Sequence, residues 1–261
     1  MAAGARPAGS TELDPVDVAA LGAAREIVLR HIADACARVG RDPAAVRLVA
    51  VTKTVAPARI RAAVAAGLTV LGENRVQEAE GKVGLAAGAT WHLIGPLQSN
   101  KARRAVETFQ VVETVDSVEL ARRLDRIVRD VRGLAADGPV ATDARLPVLL
   151  QANVDEDPAK AGFDPGELAA ALGALLDLGA LRVDGLMTVG RLVYDPEAAR
   201  PTFRRLRELA DRLRSADPRL GPELSMGMTD DYPVAVEEGA TIVRVGRALF
   251  GERPATTAEG R

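Results

Sequence analysis

The feature that most restricts this chain is an alternation. Eight short runs rich in β-branched residues are separated by longer Ala/Leu/Arg stretches with helical periodicity. The runs are Arg47–Thr52, Thr69–Gly72, Trp91–Gly95, Val111–Thr114, Val148–Val154, Val183–Val189, Leu224–Met226 and Ile242–Val245. Strand and helix in strict succession make βα units on a parallel sheet. Eight units suit a closed (β/α)8 TIM barrel, which takes roughly 250 residues as one domain, and the chain has 261. An open doubly wound sheet shows the same alternation, so closure is an expectation from the count. A helix over Pro15–Val39 precedes the first strand and ends at the Gly40-Arg41-Asp42-Pro43 break. Further helices are expected over Ser117–Arg132, Asp164–Leu178 and Pro196–Ser215, the last with Phe203, Leu206, Leu209 and Leu213 on one face. Gly133–Leu146, rich in Gly, Ala, Asp and Pro, reads as a mobile surface loop, while residues 1–13 and 254–261 read as disordered ends.

Composition excludes several functions. Lys and Arg total 34 against 36 Asp and Glu, with no long run of one sign, so neither nucleic acid nor a membrane surface is expected as partner. No stretch of ~18 apolar residues marks a membrane span and the N-terminal residues lack the apolar run of a secretory leader, so a soluble cytoplasmic protein is the default expectation. Cys36, the one cysteine, has no disulfide partner and reads as a core residue.

Chemistry gathers where strands end. Lys53 closes the first strand, on the face where barrels keep their active sites. It reads either as a lysine reaching solvent or as a partly desolvated amine fit for a Schiff base. Asn74 follows the second strand and is a helix N-cap or a ligand donor. His92, in Trp91-His92-Leu93-Ile94-Gly95-Pro96, reads more readily as a structural donor than as a catalyst, and Asn100 and Lys101 could serve ligand or loop. The turn Ser225-Met226-Gly227-Met228-Thr229 at the seventh strand, with Gly246 after the eighth, suits phosphate. Arg244 alternates with Val243 and Val245 and therefore points inward, where a guanidinium needs either an ion-pair partner or a ligand acceptor.

These segments, AVTKT, GENRVQE, WHLIGPLQSNK, ETVDS, LLQANVDEDPAKAGF, GLMTV, DPEAARPTFRRLREL and LSMGMTDDYPVAVEEGATIVRVGRALFG, resemble the pyridoxal phosphate homeostasis protein family over residues 14–253. The resemblance implies a single barrel of PLP fold type III, similar to the N-terminal domain of alanine racemase without that enzyme's C-terminal β-domain. It implies pyridoxal 5′-phosphate (PLP) linked covalently to Lys53 and phosphate at Ser225, Gly227, Thr229 and Gly246. Arg244 is implied at the pyridine nitrogen, and Asn74, His92 and Met187 in the pocket wall. No catalytic residue and no metal ligand is assigned. Pro96 stands where members vary between His and Pro. Arg247 departs from a common small hydroxyl residue, leaving open whether it adds charge to the phosphate site or turns outward.

The function implied is PLP carriage and homeostasis by a monomer, with transient contact to PLP-requiring apo-enzymes. The alternative is a weak amino-acid racemase. A racemase needs a second base, which related enzymes take from a further domain, and the expectation is that this chain lacks such a domain. Its two tyrosines, Tyr194 and Tyr232, lie in no motif that suggests this role.

Overall fold

The computed structural model describes residues 13–191 and 193–251. The expected disordered ends therefore lie almost wholly outside the described residues. Helix α1 (Pro15–Arg38) starts on the Asp14 side chain, which accepts from the Val16 amide, with Pro15 at the first helical position. The strands follow: β1 (Arg47–Val51), β2 (Val70–Glu73), β3 (Thr90–Leu93), β4 (Val111–Val115), β5 (Leu146–Gln151), β6 (Leu181–Met187), β7 (Glu223–Met228) and β8 (Ile242–Val245). Between and after them run α2 (Pro57–Ala65), α3 (Val76–Val83), α4 (Ala102–Thr108), α5 (Val118–Val131), α6 (Pro165–Leu176), α7 (Arg200–Ala216), α8 (Tyr232–Glu237) and α9 (Arg247–Phe250).

The eight strands form a closed parallel barrel in chain order, and the open-sheet alternative falls. Closure is made by β1 on β8, with Val49 opposite Arg244 and Ala50 opposite Val245. Three expected strands run too long at their ends: Gly95, Val154 and Val189 lie beyond β3, β5 and β6, because β-branched residues (Ile94, Val154, Val189) continue past the last paired position. The expected helix at Pro196–Ser215 divides into a 3-10 turn (Pro196–Ala199) and α7. The Gly133–Leu146 segment contains a 3-10 turn at Thr142–Ala144 and is bonded to its neighbours, Arg132 Nη1 to Ala144 O at 2.7 Å and Arg129 Nη1 to Ala135 O at 2.9 Å.

Strand parity divides the core in two. Outward residues such as Ala50, Leu71, Trp91, Leu93, Val243 and Val245 pack under the helices in one large cluster that includes buried Cys36. Helix α7 supplies Phe203, Leu206, Leu209 and Leu213 to it, each contributing about 1.5–3 kcal/mol by leaving water. Inward residues Val49, Ile94, Leu149, Met187 and Ile242 form a second, smaller cluster inside the barrel. Gly72 belongs to this inner wall, since a Cβ there would sit 2.7 Å from Val49 Cγ1 and 2.9 Å from Ile94 Cδ1. With the interior packed by this cluster, the residues singled out at the strand ends gather at the C-terminal mouth of the barrel.

Candidate active site at the C-terminal mouth

Lys53 stands two residues beyond Val51, in the turn that ends β1, and is half-buried. The turn closes through the Val55 amide to Thr52 O at 3.0 Å, which puts Lys53 and Thr54 at its centre. Thr54 adopts φ 64°, a left-handed conformation that costs a β-branched residue about 1–3 kcal/mol. A buried clamp holds it there. Lys82 Nζ of α3 donates to Thr52 O at 2.8 Å and to Glu73 Oε1 at 2.6 Å, and Thr52 Oγ1 donates to the same Glu73 oxygen at 2.7 Å. Glu73 is fully buried, and its Oε2 has no hydrogen-bond partner among the described residues.

Asn74 lies at the end of β2, half-buried, but α3 is capped at Arg75, so the N-cap reading of Asn74 is corrected. Its backbone is pressed against Gly95, where any Cβ would strike Asn74 O and Cα. That close approach explains the glycine before Pro96. Asn100 is exposed in the 3-10 turn Ser99–Lys101.

His92 and Met187 are buried inside the barrel. Met187 belongs to the inner apolar cluster, whereas His92 Nδ1 lies 2.6 Å from Glu113 Oε1. Glu113 Oε2 accepts from the Ser225 hydroxyl at 2.5 Å, and Ser225 Oγ accepts from Arg244 Nη1 at 2.6 Å. Arg244 Nη2 reaches Thr188 O at 2.8 Å. Ser225 sits on the inward parity of β7, and its hydroxyl links Glu113 to Arg244. Burial alone would raise the Glu113 carboxyl. The hydrogen bond and charge of His92, the charge of Arg244 and the Ser225 bond outweigh it and hold the group below its ordinary range. Burial pulls Arg244 below the usual guanidinium range, against the opposing charges of Glu113 and Asp231.

Above this layer lies the small-residue turn. Asp231 Oδ1 accepts from the Met228 amide at 2.6 Å, and Thr229 Oγ1 accepts from the Gly246 amide at 3.2 Å, joining the loops after β7 and β8. Gly227 has φ +91°, and a Cβ there would lie 2.5 Å from Ala235 Cβ and 3.0 Å from Tyr232 Cα. Gly227→Ala is expected to lower unfolding free energy by about 2–3 kcal/mol through strain and overpacking, measured by denaturant melts. A cost under about 0.5 kcal/mol would show that the turn tolerates a side chain. Arg247, the departure from the family pattern, ion-pairs with Asp230, the residue that follows the turn.

The Tyr232 hydroxyl is 2.9 Å from His31 Nδ1 on α1, and Tyr194 is exposed. Burial pushes the Tyr232 phenol up to about 12. Its folded value lies above the ordinary one near 10, so its contribution to stability is complete below about pH 10 and is lost as pH rises from 10 to 12. Tyr232→Phe is expected to flatten alkaline destabilisation in that window, read from melting temperature against pH; an unchanged slope would reject this cause.

Three residues of the buried layer are not singled out by the sequence: Glu113, Glu73 and Lys82. Glu113 was visible as an acid within the apolar run Val-Val-Glu-Thr-Val, on the inward parity. Glu73 and Lys82 gave no comparable signal, because their contact depends on how α3 stacks on β2.

The fold and site define a class of barrel. Residues 27–254 match the family model described as "Alanine racemase, N-terminal domain". An alanine racemase from Clostridium difficile 630, 14% identical with a TM-score of 0.65 over 87% of this chain and 60% of that one, shows the shared fold. Nearer relatives narrow the class. A pyridoxal phosphate homeostasis protein of Pseudomonas aeruginosa is 43% identical over 87% of this chain and 93% of its own length, and one of Aquifex aeolicus is 39% identical over 87% and 95%. PipY of Synechococcus elongatus, solved with PLP bound, is 42% identical with a TM-score of 0.72 over 84% of this chain and all of that one. The chain belongs to the pyridoxal phosphate homeostasis protein family.

Proposed function

We propose that this protein binds PLP at the barrel mouth, holds it reversibly through Lys53, and maintains the intracellular supply of the cofactor. Supporting this are the PLP-bound PipY relative and the homeostasis proteins of 34–43% identity. The donor set fits the cofactor: an amine on a fixed turn, an inward guanidinium, and two linked loops of small residues. PLP supplies a reactive aldehyde, and the chain's residues bind and orient it. Lys53 is the covalent anchor. Thr229 and the backbone around Gly227 and Gly246 receive the phosphate, Arg244 faces the pyridine nitrogen, and Asn74 flanks the ring. Met187 and His92 form the floor of the site rather than its reacting edge. The binding unit is the single barrel of residues 14–253, acting as a cytoplasmic monomer that meets PLP-requiring apo-enzymes transiently.

The observation that carries the non-catalytic reading is the placement of Tyr232. Its hydroxyl is turned to His31 on the outer helix α1, away from the mouth where a second base would stand. Two assays test the proposal. PLP-loaded protein is expected to restore activity to a PLP-requiring apo-enzyme, and to leave single-enantiomer amino acids unchanged. Racemisation abolished by Lys53→Ala would overturn the carrier reading in favour of a weak racemase.

A further inference from the structure

Arg244 is charged, 4% exposed, and enclosed by the barrel. Its two hydrogen-bond acceptors among the described residues are neutral, Ser225 Oγ at 2.6 Å and Thr188 O at 2.8 Å. A guanidinium in such surroundings needs a counter-charge. Two carboxylates act on it. Asp231 is one, but its Oδ1 is taken by the Met228 amide. Glu113 is the other, and it is reached through a single hydroxyl.

The direction of that chain is fixed by valence. Arginine only donates, so Ser225 Oγ must accept from Arg244 and spend its one proton on Glu113 Oε2. As a carboxylate, Glu113 only accepts, so the 2.6 Å contact to Oε1 requires the proton on His92 Nδ1. Glu113 is thus held from both sides, fully buried, on a strand that the cofactor site does not otherwise use. Rotating Arg244 would break the Ser225 bond, and Ser225 cannot turn without releasing Glu113.

We propose that Glu113 is a positioning residue for the cofactor, the buried counter-ion that fixes Arg244 through Ser225 and is itself fixed by His92. The inference rests on the PLP-binding reading above and adds a residue to it. PLP ring placement then depends on a carboxylate that does not touch the ring.

The test uses the full-length protein and PLP. Dissociation constants come from absorbance titration, the pH dependence of the bound cofactor's visible absorbance is recorded, and far-UV circular dichroism checks the fold. Glu113→Gln is expected to weaken PLP about tenfold, the scale of one lost charge-assisted bond, and to shift the pH profile of the absorbance. Ser225→Ala breaks the same chain without removing a charge and is expected to move both readouts in the same direction. In an Arg244→Met background neither change should weaken PLP further, because the residue through which they act is gone. Folded variants that bind PLP with wild-type affinity and pH profile would overturn the role, as would equal weakening with and without Arg244. If Glu113→Gln does not fold, Ser225→Ala decides alone by the same criteria. A wild-type protein that does not bind PLP would instead overturn the proposed function, and this role with it.

Discussion

Lys53→Ala is expected to abolish covalent capture of PLP while leaving the barrel folded. Wild-type protein should carry close to one fixed pyridoxyl group per chain after reduction, and the variant only background. The chain has four lysines, Lys53, Lys82, Lys101 and Lys160, and the structure separates their roles. Lys82 is committed to Glu73 and Thr52, and Lys160 donates to Val189 O at 3.1 Å. Lys101 lies in the 3-10 turn leading into α4. Lys53 is the lysine at the end of a barrel strand, on a turn with a left-handed threonine beside it. Intact far-UV dichroism with lost capture would assign the effect to the amine. Capture persisting in Lys53→Ala would move the anchor elsewhere.

The second large effect lies behind that turn. Lys82→Met is expected to cost about 3–5 kcal/mol, because it leaves Glu73 as a buried charge with its counter-ion removed. For a chain of this size that corresponds to a fall in melting temperature of roughly 5–10 °C. Removing both charges, Lys82→Met with Glu73→Gln, should recover most of the loss, since a buried pair is often replaceable as a unit. Thr52 O would also lose its Lys82 bond in both variants. PLP capture at Lys53 should therefore remain weakened even where stability returns. A single variant within about 1 kcal/mol of wild type would show that the pair does not set the turn.

How far the sequence revealed these features depends on the range of each contact. Strand β8 was legible in full, because Ile242 to Val245 is a short β-branched run bounded by Thr241 and Gly246. The ends of β5 and β6 were not, since Val154 and Val189 continue the strand-like composition into loops after pairing has stopped. Arg244 pointed inward as its alternation required, and of the two readings left open for it the structure supplies acidic neighbours, Glu113 through Ser225 and Asp231. Ser225 falls within the expected seventh strand, but its link to Glu113 joins residues far apart in the chain, and β7 runs further into the turn than its composition suggests, through Met228. The Glu73–Lys82 pair was out of reach. A lysine in the last turn of a polar helix is indistinguishable from a solvated one until the strand behind it is known.

The Arg247 departure is consistent with this division of labour. Its ion pair with Asp230 is made between two half-exposed side chains, so it stabilises little. The contact joins the loops after β7 and β8, as the Thr229 to Gly246 bond does on their inner side.

The central claim, that Lys53 is the anchor of a PLP-binding barrel, is tested most directly by borohydride reduction of PLP-loaded protein followed by peptide mass mapping. The account predicts a single pyridoxyl adduct, on the peptide that contains Lys53. An adduct on Lys82, Lys101 or Lys160 with Lys53 unmodified, or no adduct at saturating PLP, would contradict it.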